Sequence, residues 1–215
     1  EPDIRTEYTL LDETAAICAE AGGLVVINPY NRNVERVHNL VVRLAKQNRR
    51  LVLDAVQADY LAAFYPLDPL YVYAETVHGH PVPQGAVLIS RQDLLRSPAS
   101  YLLQLDYKDF YELFDLQPVI TNYLHMDGSP LGSYDPSYRK MRLQLDALGI
   151  PFRNLGLGGH ARPYYLKLMV DTIAPRVLVP LHSQRPEQVN SRNIQQRILP
   201  REGQTILLNQ GGIQA

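Results

Sequence analysis

Apolar residues along the chain follow two spacings, one typical of helices and one typical of short buried strands. From Thr6 to Glu20 the apolar positions recur every three or four residues, and Gly22-Gly23 follow as a stop signal. The continuous apolar run Leu24 to Ile27 predicts a buried strand. Asn33 is a good N-cap, and the apolar positions after it keep the helical period as far as Leu44. The chain therefore begins with a predicted helix, strand and helix.

Short apolar runs predict further strands through the middle of the chain. Periodicity does not give the order of these strands in a sheet. They lie at Leu51 to Leu53, Leu70 to Tyr73, Ala86 to Ile89, Tyr101 to Leu105 and Pro118 to Leu124.

The C-terminal third alternates helices with strands. A helix from Asp135 to Leu148 has Asp135 as its cap, Pro136 in its first turn and Gly149 as its terminator. A second helix is predicted at Pro163 to Ala174, with an apolar face that includes Tyr165, Leu166, Met169, Val170 and Ile173. Such alternation favours the α/β class with a largely parallel, Rossmann-like sheet. The two strands of this region are predicted at Phe152 to Leu157 and at Arg176 to Pro180.

Composition narrows the class of protein. Of the 215 residues, 46% are hydrophobic and 20% charged, with apolar runs of only a few residues, which predicts a globular chain without a membrane span. The formal net charge of −1 predicts no general attraction to polyanions, so any such site must be local. The single cysteine, Cys18, cannot form an internal disulfide, which favours a reducing compartment such as the cytoplasm. The start Glu1-Pro2-Asp3, without Met or a signal core, indicates a piece of a longer chain.

Two histidines follow predicted strands near the C-terminus. His160 lies in Gly156-Leu157-Gly158-Gly159-His160-Ala161, where glycines allow backbone amides to approach an anion. His182 follows the apolar run Val177 to Leu181, which would present its imidazole at a sheet edge. Because ligands of parallel sheets bind at the carboxyl ends of strands, we expect both rings to face one exposed edge. Taken singly, each histidine is more often structural than catalytic.

The segment Gly158-Gly159-His160-Ala161, followed by a helix and by Pro180-Leu181-His182-Ser183, resembles the last two signature motifs of the β-CASP branch of metallo-β-lactamase-fold nucleases. This branch contains RNase J and the pre-mRNA 3'-end cleavage endonuclease. The spacing of 22 positions between the two histidines suits one helix and one strand. Val25 to Arg36 is similar to the strand, loop and helix element of the branch, and Asp127 to Gly132 is similar to its serine-rich turn.

The resemblance implies both an architecture and an activity. Residues 1–150 would form the β-CASP domain, and residues 151–215 would return to the metallo-β-lactamase core. The parent protein would hydrolyse phosphodiester bonds in single-stranded RNA, or alternatively DNA. Two divalent ions, zinc or manganese, would activate a water for in-line attack. The β-CASP layer would close over the substrate as a lid.

The resemblance also implies roles for particular residues. His182 would ligate one metal ion, and His160 would hydrogen-bond the scissile phosphate or protonate the leaving oxygen. The amides of Gly158 and Gly159 would assist at the phosphate. Ser129 and Arg36 are candidates for contacts to the RNA backbone. A turn at Ser129 and Gly132 without any phosphate is an equally good interpretation.

The chain departs from the family at the metal site. It lacks the His-x-His-x-Asp-His signature, which the family carries upstream of the β-CASP domain. His78-Gly79-His80 lacks the following Asp-His and is predicted to be a surface loop. Ser183-Gln184 replaces the Gly-Glu or Thr-Glu that often follows the last histidine. The expected partner is therefore the missing N-terminal region of the same protein, and this chain alone is expected neither to hold the metal pair nor to cleave RNA.

Two other classes of function remain open. One is a non-catalytic β-CASP subunit that binds RNA or protein as a scaffold, which a parent lacking the upstream metal motif would favour. The other is a small-molecule-binding α/β module in which His160 and His182 are packing residues. Lysines and arginines such as Arg139, Lys140 and Arg142 are more often a solvated helix face than an RNA contact. A homo-oligomer is compatible with every one of these interpretations.

Overall fold

The computed structural model of the chain describes residues 5–158, 161–209 and 212–214. Backbone contacts divide the molecule after Gly158. We call Arg5–Gly158 the sheet unit and the residues from Gly159 onward the C-terminal unit, and each is described by itself.

A seven-stranded sheet organises the sheet unit. Every neighbouring pair of strands is parallel, and the order is β4-β3-β2-β5-β1-β6-β7. The predicted α/β class with a parallel sheet is therefore confirmed. The strands are β1 (Leu24–Pro29), β2 (Arg50–Leu53), β3 (Tyr71–Tyr73), β4 (Val87–Ile89), β5 (Tyr101–Gln104), β6 (Ile120–Met126) and β7 (Phe152–Asn154).

Helices cover both faces of this sheet. Alternate residues of β1 point to opposite sides, so Val25 and Ile27 pack with α1, α2 and α3, while Leu24 and Val26 pack with α4, α5 and α6. All six residues of β1 are buried, as its continuous apolar run requires. The helices are α1 (Glu7–Glu20), α2 (Val34–Ala45), α3 (Ala55–Phe64), α4 (Arg91–Arg96), α5 (Glu112–Leu116) and α6 (Pro136–Ala147).

The sheet extends further along the chain than the expected domain boundary at residues 150 and 151. Strand β7 pairs with β6 through the register Tyr123 to Phe152 and His125 to Asn154. Residues 152–154 consequently belong to the sheet unit, and the division falls after Gly158. Helices α3, α4 and α5 were missing from the sequence prediction. Helices α4 and α5 have only six and five residues, which is too few for a clear helical period.

The C-terminal unit contains α7 (Pro163–Ile173) and two pairs of short strands. Strands β8 (Val177–Leu178) and β9 (Gln196–Arg197) are parallel, and β10 (Leu207–Asn209) and β11 (Gly212–Gln214) are antiparallel. The strand predicted at Arg176 to Pro180 is thus only two residues long. Of the predicted apolar face of α7, Val170 alone is buried among the described residues. None of the described helices combines the length and apolar character needed to cross a membrane.

A buried carboxylate connects the helices on one face of the sheet. The Glu112 side chain, 2% exposed, accepts hydrogen bonds from the Tyr73 hydroxyl at 2.6 Å and from Arg91 Nε and Nη2 at 3.1 and 2.9 Å. Arg91 also pairs with Asp115 at 2.6 Å. Burial and the adjacent Glu112 raise the pKa of Tyr73, which therefore remains a donor. Arg91 supplies the positive charge that makes burial of Glu112 tolerable.

Removing Arg91 should therefore destabilise the sheet unit. We expect Arg91→Ala to lower the free energy of unfolding by about 3 kcal/mol, because Glu112 is left buried without its cation. Arg96→Ala is the matched control: its side chain is 73% exposed, and its pair with Asp93 is 3.5 Å long, so a loss of about 0.5 kcal/mol or less is expected. Urea unfolding followed by circular dichroism compares the two, and equal stability of both variants would contradict this role of Arg91.

Candidate functional site at the carboxyl edge of strands β1 and β6

The strand topology predicts a crevice at the carboxyl ends of β1 and β6, at the edge of the sheet. The chain leaves β1 toward α2 on one face and leaves the adjacent β6 toward α6 on the other. Such a reversal of direction separates two loops and is where parallel α/β sheets commonly bind ligands. The residues at this place are Tyr30 and Asn31 after β1, and Asp127 to Ser129 after β6.

Arg36 lies beneath this crevice and is 4% exposed. Its Nε and Nη2 donate to the Glu7 carboxylate at 2.9 and 2.7 Å. Its Nη1 donates to the Met126 carbonyl at 2.8 Å and to Asp127 Oδ2 at 3.3 Å. Burial alone would lower the pKa of Arg36, but the hydrogen bonds and charges of Glu7 and Asp127 outweigh burial and raise it. Its donors face protein acceptors rather than the outer surface, so its geometry is that of a positioning residue.

Asp127 connects β6 to the loop that follows β7. Besides the Arg36 contact, its Oδ2 accepts a hydrogen bond from the Leu157 amide at 2.9 Å, and its Oδ1 accepts one from the Gly158 amide at 3.1 Å. Its φ of 65° is in the left-handed region, which Asp tolerates better than most residues. A Cβ at Gly156 would stand 2.4 Å from Asp127 Oδ1, so a side chain there would displace this carboxylate. Asp127 therefore fixes the position of residues 156–158.

The turn after β6 is anchored by Asn28. The Gly128 amide donates to the Asn28 carbonyl at 3.1 Å, and Asn28 Nδ2 donates to the Ser129 carbonyl at 2.8 Å. A Cβ at Gly128 would stand 2.6 Å from the Asn28 carbonyl oxygen, so only glycine fits. Ser129 itself is exposed, at the rim of the crevice. This position leaves Ser129 accessible to a ligand such as a phosphate.

His125 supports the same turn from below. The residue is 2% exposed, and its Nε2 lies 2.8 Å from the Pro130 carbonyl oxygen. Burial lowers the pKa of His125, with partial opposition from the Pro130 hydrogen bond and the Asp127 charge. The imidazole is therefore neutral at pH 7, and because a carbonyl only accepts, the proton is on Nε2. Nδ1 is left without a partner among the described residues.

Of the loop predicted to receive an anion, the structure describes Gly158, whose amide donates to the carboxylate of Asp127. Gly158 has φ 69° and its amide points to that carboxylate. Gly159 and His160 lie outside the described residues, so the expectation that His160 and His182 share one exposed edge stays a prediction. The helix expected after this loop is present as α7, and it begins at Pro163 as predicted.

His182 is an exposed residue of the C-terminal unit, four positions after the end of β8. Its φ of 51° places its backbone in the left-handed region. An exposed imidazole can serve as one ligand of a metal ion. No group of three or more His, Cys, Asp or Glu side chains suited to a metal ion occurs within residues 5–158, 161–209 and 212–214. His78 and His80 are both exposed around a turn in which the His80 amide donates to the Val77 carbonyl.

Sequence analysis found part of this site. It selected Arg36, Ser129 and Gly158, which the structure brings to the same crevice edge, although Arg36 lies under the surface. It missed the contributions of Asn28, His125 and Asp127. The signal was present in His125-Met126-Asp127-Gly128-Ser129, where titratable side chains and a glycine directly follow a predicted strand.

Comparison with known proteins shows a shared fold. No protein-family profile matches the chain, and no curated protein matches it. The chain is similar to the crystal structure of a protein of unknown function from Enterococcus faecalis V583, with 30% sequence identity and a TM-score of 0.78. The match covers 95% of this chain and 47% of that protein, so the chain spans about half the length of its structural neighbour.

The Gly128 position offers a direct test of the turn geometry. Gly128→Ala should lower the free energy of unfolding by about 2 kcal/mol, because its methyl group would overlap Asn28. Gly132→Ala is the control, since a Cβ there meets only the Tyr134 ring at 3.4 Å, and a change within about 0.5 kcal/mol is expected. Both values come from urea titrations of the purified chain. A Gly128→Ala variant as stable as the Gly132→Ala variant would show that the turn is not held as described.

Proposed function

We propose that this chain is the β-CASP portion and the C-terminal metallo-β-lactamase-fold portion of a metal-dependent nuclease that acts on single-stranded RNA. The proposal rests on the motif resemblance of residues 158–161 and 180–183, separated by α7 and β8. The parallel α/β sheet with a crevice at its carboxyl edge is compatible with it. Zinc or manganese in the complete protein would supply the activation of water.

The structural observation that supports this proposal is the small number of buried apolar side chains in the C-terminal unit. Its buried apolar side chains, among those described, are Val170 and Ile198. Helix α7 exposes five large apolar side chains by 46% to 65%, namely Tyr164, Tyr165, Leu168, Met169 and Ile173. Covering such a face would contribute on the order of 5 kcal/mol. A unit with this surface fits a larger domain that other residues complete, as the return to a metallo-β-lactamase core requires.

The length of the structural neighbour supports the same interpretation. Its chain is about twice as long as the region that matches, so a protein with this fold has room for the rest of such a domain. The described residues do not assemble a metal site by themselves. His182 would supply one ligand, and the other ligands would come from the remainder of the protein.

Residue roles in the proposed nuclease follow from the crevice. Ser129, exposed at the rim, would contact the RNA backbone. Arg36 and Asp127 would act indirectly, by fixing the loop that leads into Gly159 and His160. The Gly158 amide would be engaged by Asp127 rather than by phosphate, and His160 would transfer a proton at the leaving oxygen. A cytoplasmic location suits this role.

The test uses the full-length gene product that contains this chain. We expect metal-dependent cleavage of 5'-labelled single-stranded RNA, and a loss of about 100-fold or more in rate for His182→Ala together with a loss of bound metal. His160→Ala should lower the rate by about 100-fold or more while the metal content stays unchanged. His80→Ala, which removes an exposed histidine outside the site, should retain full activity.

The outcomes separate the candidate functions. RNA binding without cleavage, and without bound metal, would favour the scaffold subunit. Cleavage that His182→Ala leaves intact would contradict the assignment of this residue as a metal ligand. The isolated 215-residue chain, assayed in parallel with metal analysis by mass spectrometry, is expected to be inactive and to lack a stoichiometric metal pair.

A further inference from the structure

A cavity of about 350 Å³ lies in the sheet unit, on the face covered by α5 and α6. This volume is within the range of small-molecule sites. Its walls come from the segment after β5 and from α6. The side chains that matter to its chemistry are Tyr107, Lys108, Tyr111, Phe114, Lys140 and Gln144.

The aromatic side of the cavity is accessible from solvent. Tyr111 is 49% exposed and Phe114 is 55% exposed, although apolar rings of this size are usually covered. Beneath them, Phe110 is buried and lies 5.4 Å from Tyr107 and 5.9 Å from Tyr123 between ring centroids. The buried rings hold the segment in place, while the exposed rings offer flat surfaces for stacking.

The opposite side carries positive charge. Helix α6 carries Arg139, Lys140 and Arg142, and Asp146 is its acidic residue. Lys140 forms no ion pair among the described residues, whereas Arg142 stacks over Phe152 at 3.7 Å and lies 3.9 Å from Asp146. The nearby acids are largely compensated, because Arg91 pairs with both Glu112 and Asp115, and Lys108 lies 3.7 Å from Asp109. Lys140 is therefore available to an anionic ligand.

Gln144 adds a polar group between the rings and the lysine. Its Oε1 is buried without a hydrogen-bond partner among the described residues. The last side-chain torsion of Gln144 rotates over a broad range, and such a rotation would turn this acceptor toward the cavity. A ligand N–H group would then satisfy an acceptor that the protein itself leaves unpaired.

We propose that this cavity binds a nucleoside phosphate, with the base stacked on Tyr111 and Phe114, its amino group facing Gln144 and its phosphate facing Lys140. A planar ring, an N–H donor and an anion are the three features that the walls complement together. The nucleoside phosphate is either a free nucleotide or one unit of a single-stranded RNA. The site does not depend on the proposed nuclease activity.

The test is a titration of the ¹⁵N-labelled 215-residue chain with adenosine 5'-monophosphate, followed by NMR. We expect shifts concentrated at Tyr111, Phe114 and Lys140, and weaker binding of adenosine and of ribose 5-phosphate, each of which lacks one half of the ligand. Phe114→Ala and Lys140→Ala should each weaken binding about tenfold. Leu143→Ala, on the same helix but outside the cavity, and Lys46→Ala, at the end of α2, should leave binding unchanged.

An octaadenylate titration distinguishes the two sources of the ligand. Tighter binding than the mononucleotide, weakened by the same two variants, supports an RNA contact, and equal or weaker binding supports a free nucleotide. The proposal is overturned if neither probe shifts these signals at about 10 mM nucleotide, or if Phe114→Ala and Lys140→Ala bind as tightly as the unaltered chain. If the chain binds adenosine monophosphate but the full-length protein does not cleave RNA, only the proposed nuclease function is contradicted.

Discussion

The carboxylate of Asp127 is the contact on which the organisation of the crevice depends. It joins the end of β6, the buried guanidinium of Arg36 and the amides of Leu157 and Gly158, which are separated by up to 122 positions in sequence. Arg36 in turn is held by Glu7, so α1 and α2 are connected to the same network. A charge-assisted network of this kind, in which most donors and acceptors are satisfied, gives a buried charge a stable position.

The two units differ in how completely they bury their own apolar side chains. The sheet unit buries apolar side chains on both faces of a parallel sheet, which such sheets require. The C-terminal unit leaves most of the apolar side chains of α7 exposed. The parallel sheet therefore has both faces covered, whereas the apolar face of α7 is largely uncovered among the described residues. The proposed completion of a metallo-β-lactamase-fold domain accounts for that exposed face.

Local patterns predicted most of the elements, although not α3, α4 and α5, and long-range contacts determined the site. The helical stripe of α1 formed by Leu10, Leu11, Thr14, Ile17 and Cys18 is buried, as the helical period predicts. Strand order was beyond the reach of periodicity, because β5 inserts between β2 and β1 only through tertiary contacts. Arg49 illustrates the same limit, because it is buried and donates to the carbonyls of Ala21, Gly23 and Tyr101. Hydrogen bonds between residues far apart in sequence cannot be recognised from the local sequence around either residue.

The most direct measurement of the Asp127 network is amide hydrogen exchange at Leu157 and Gly158. Asp127→Asn keeps a residue that tolerates φ near 65° but loses the charge and one acceptor oxygen. The account predicts that at least one of the two amides exchanges about tenfold faster or more in this variant, while the central strands keep their protection. Asp146→Asn, which alters an exposed carboxylate of α6, should change neither amide. Unchanged exchange of both amides in Asp127→Asn would contradict the claim that this carboxylate positions the loop.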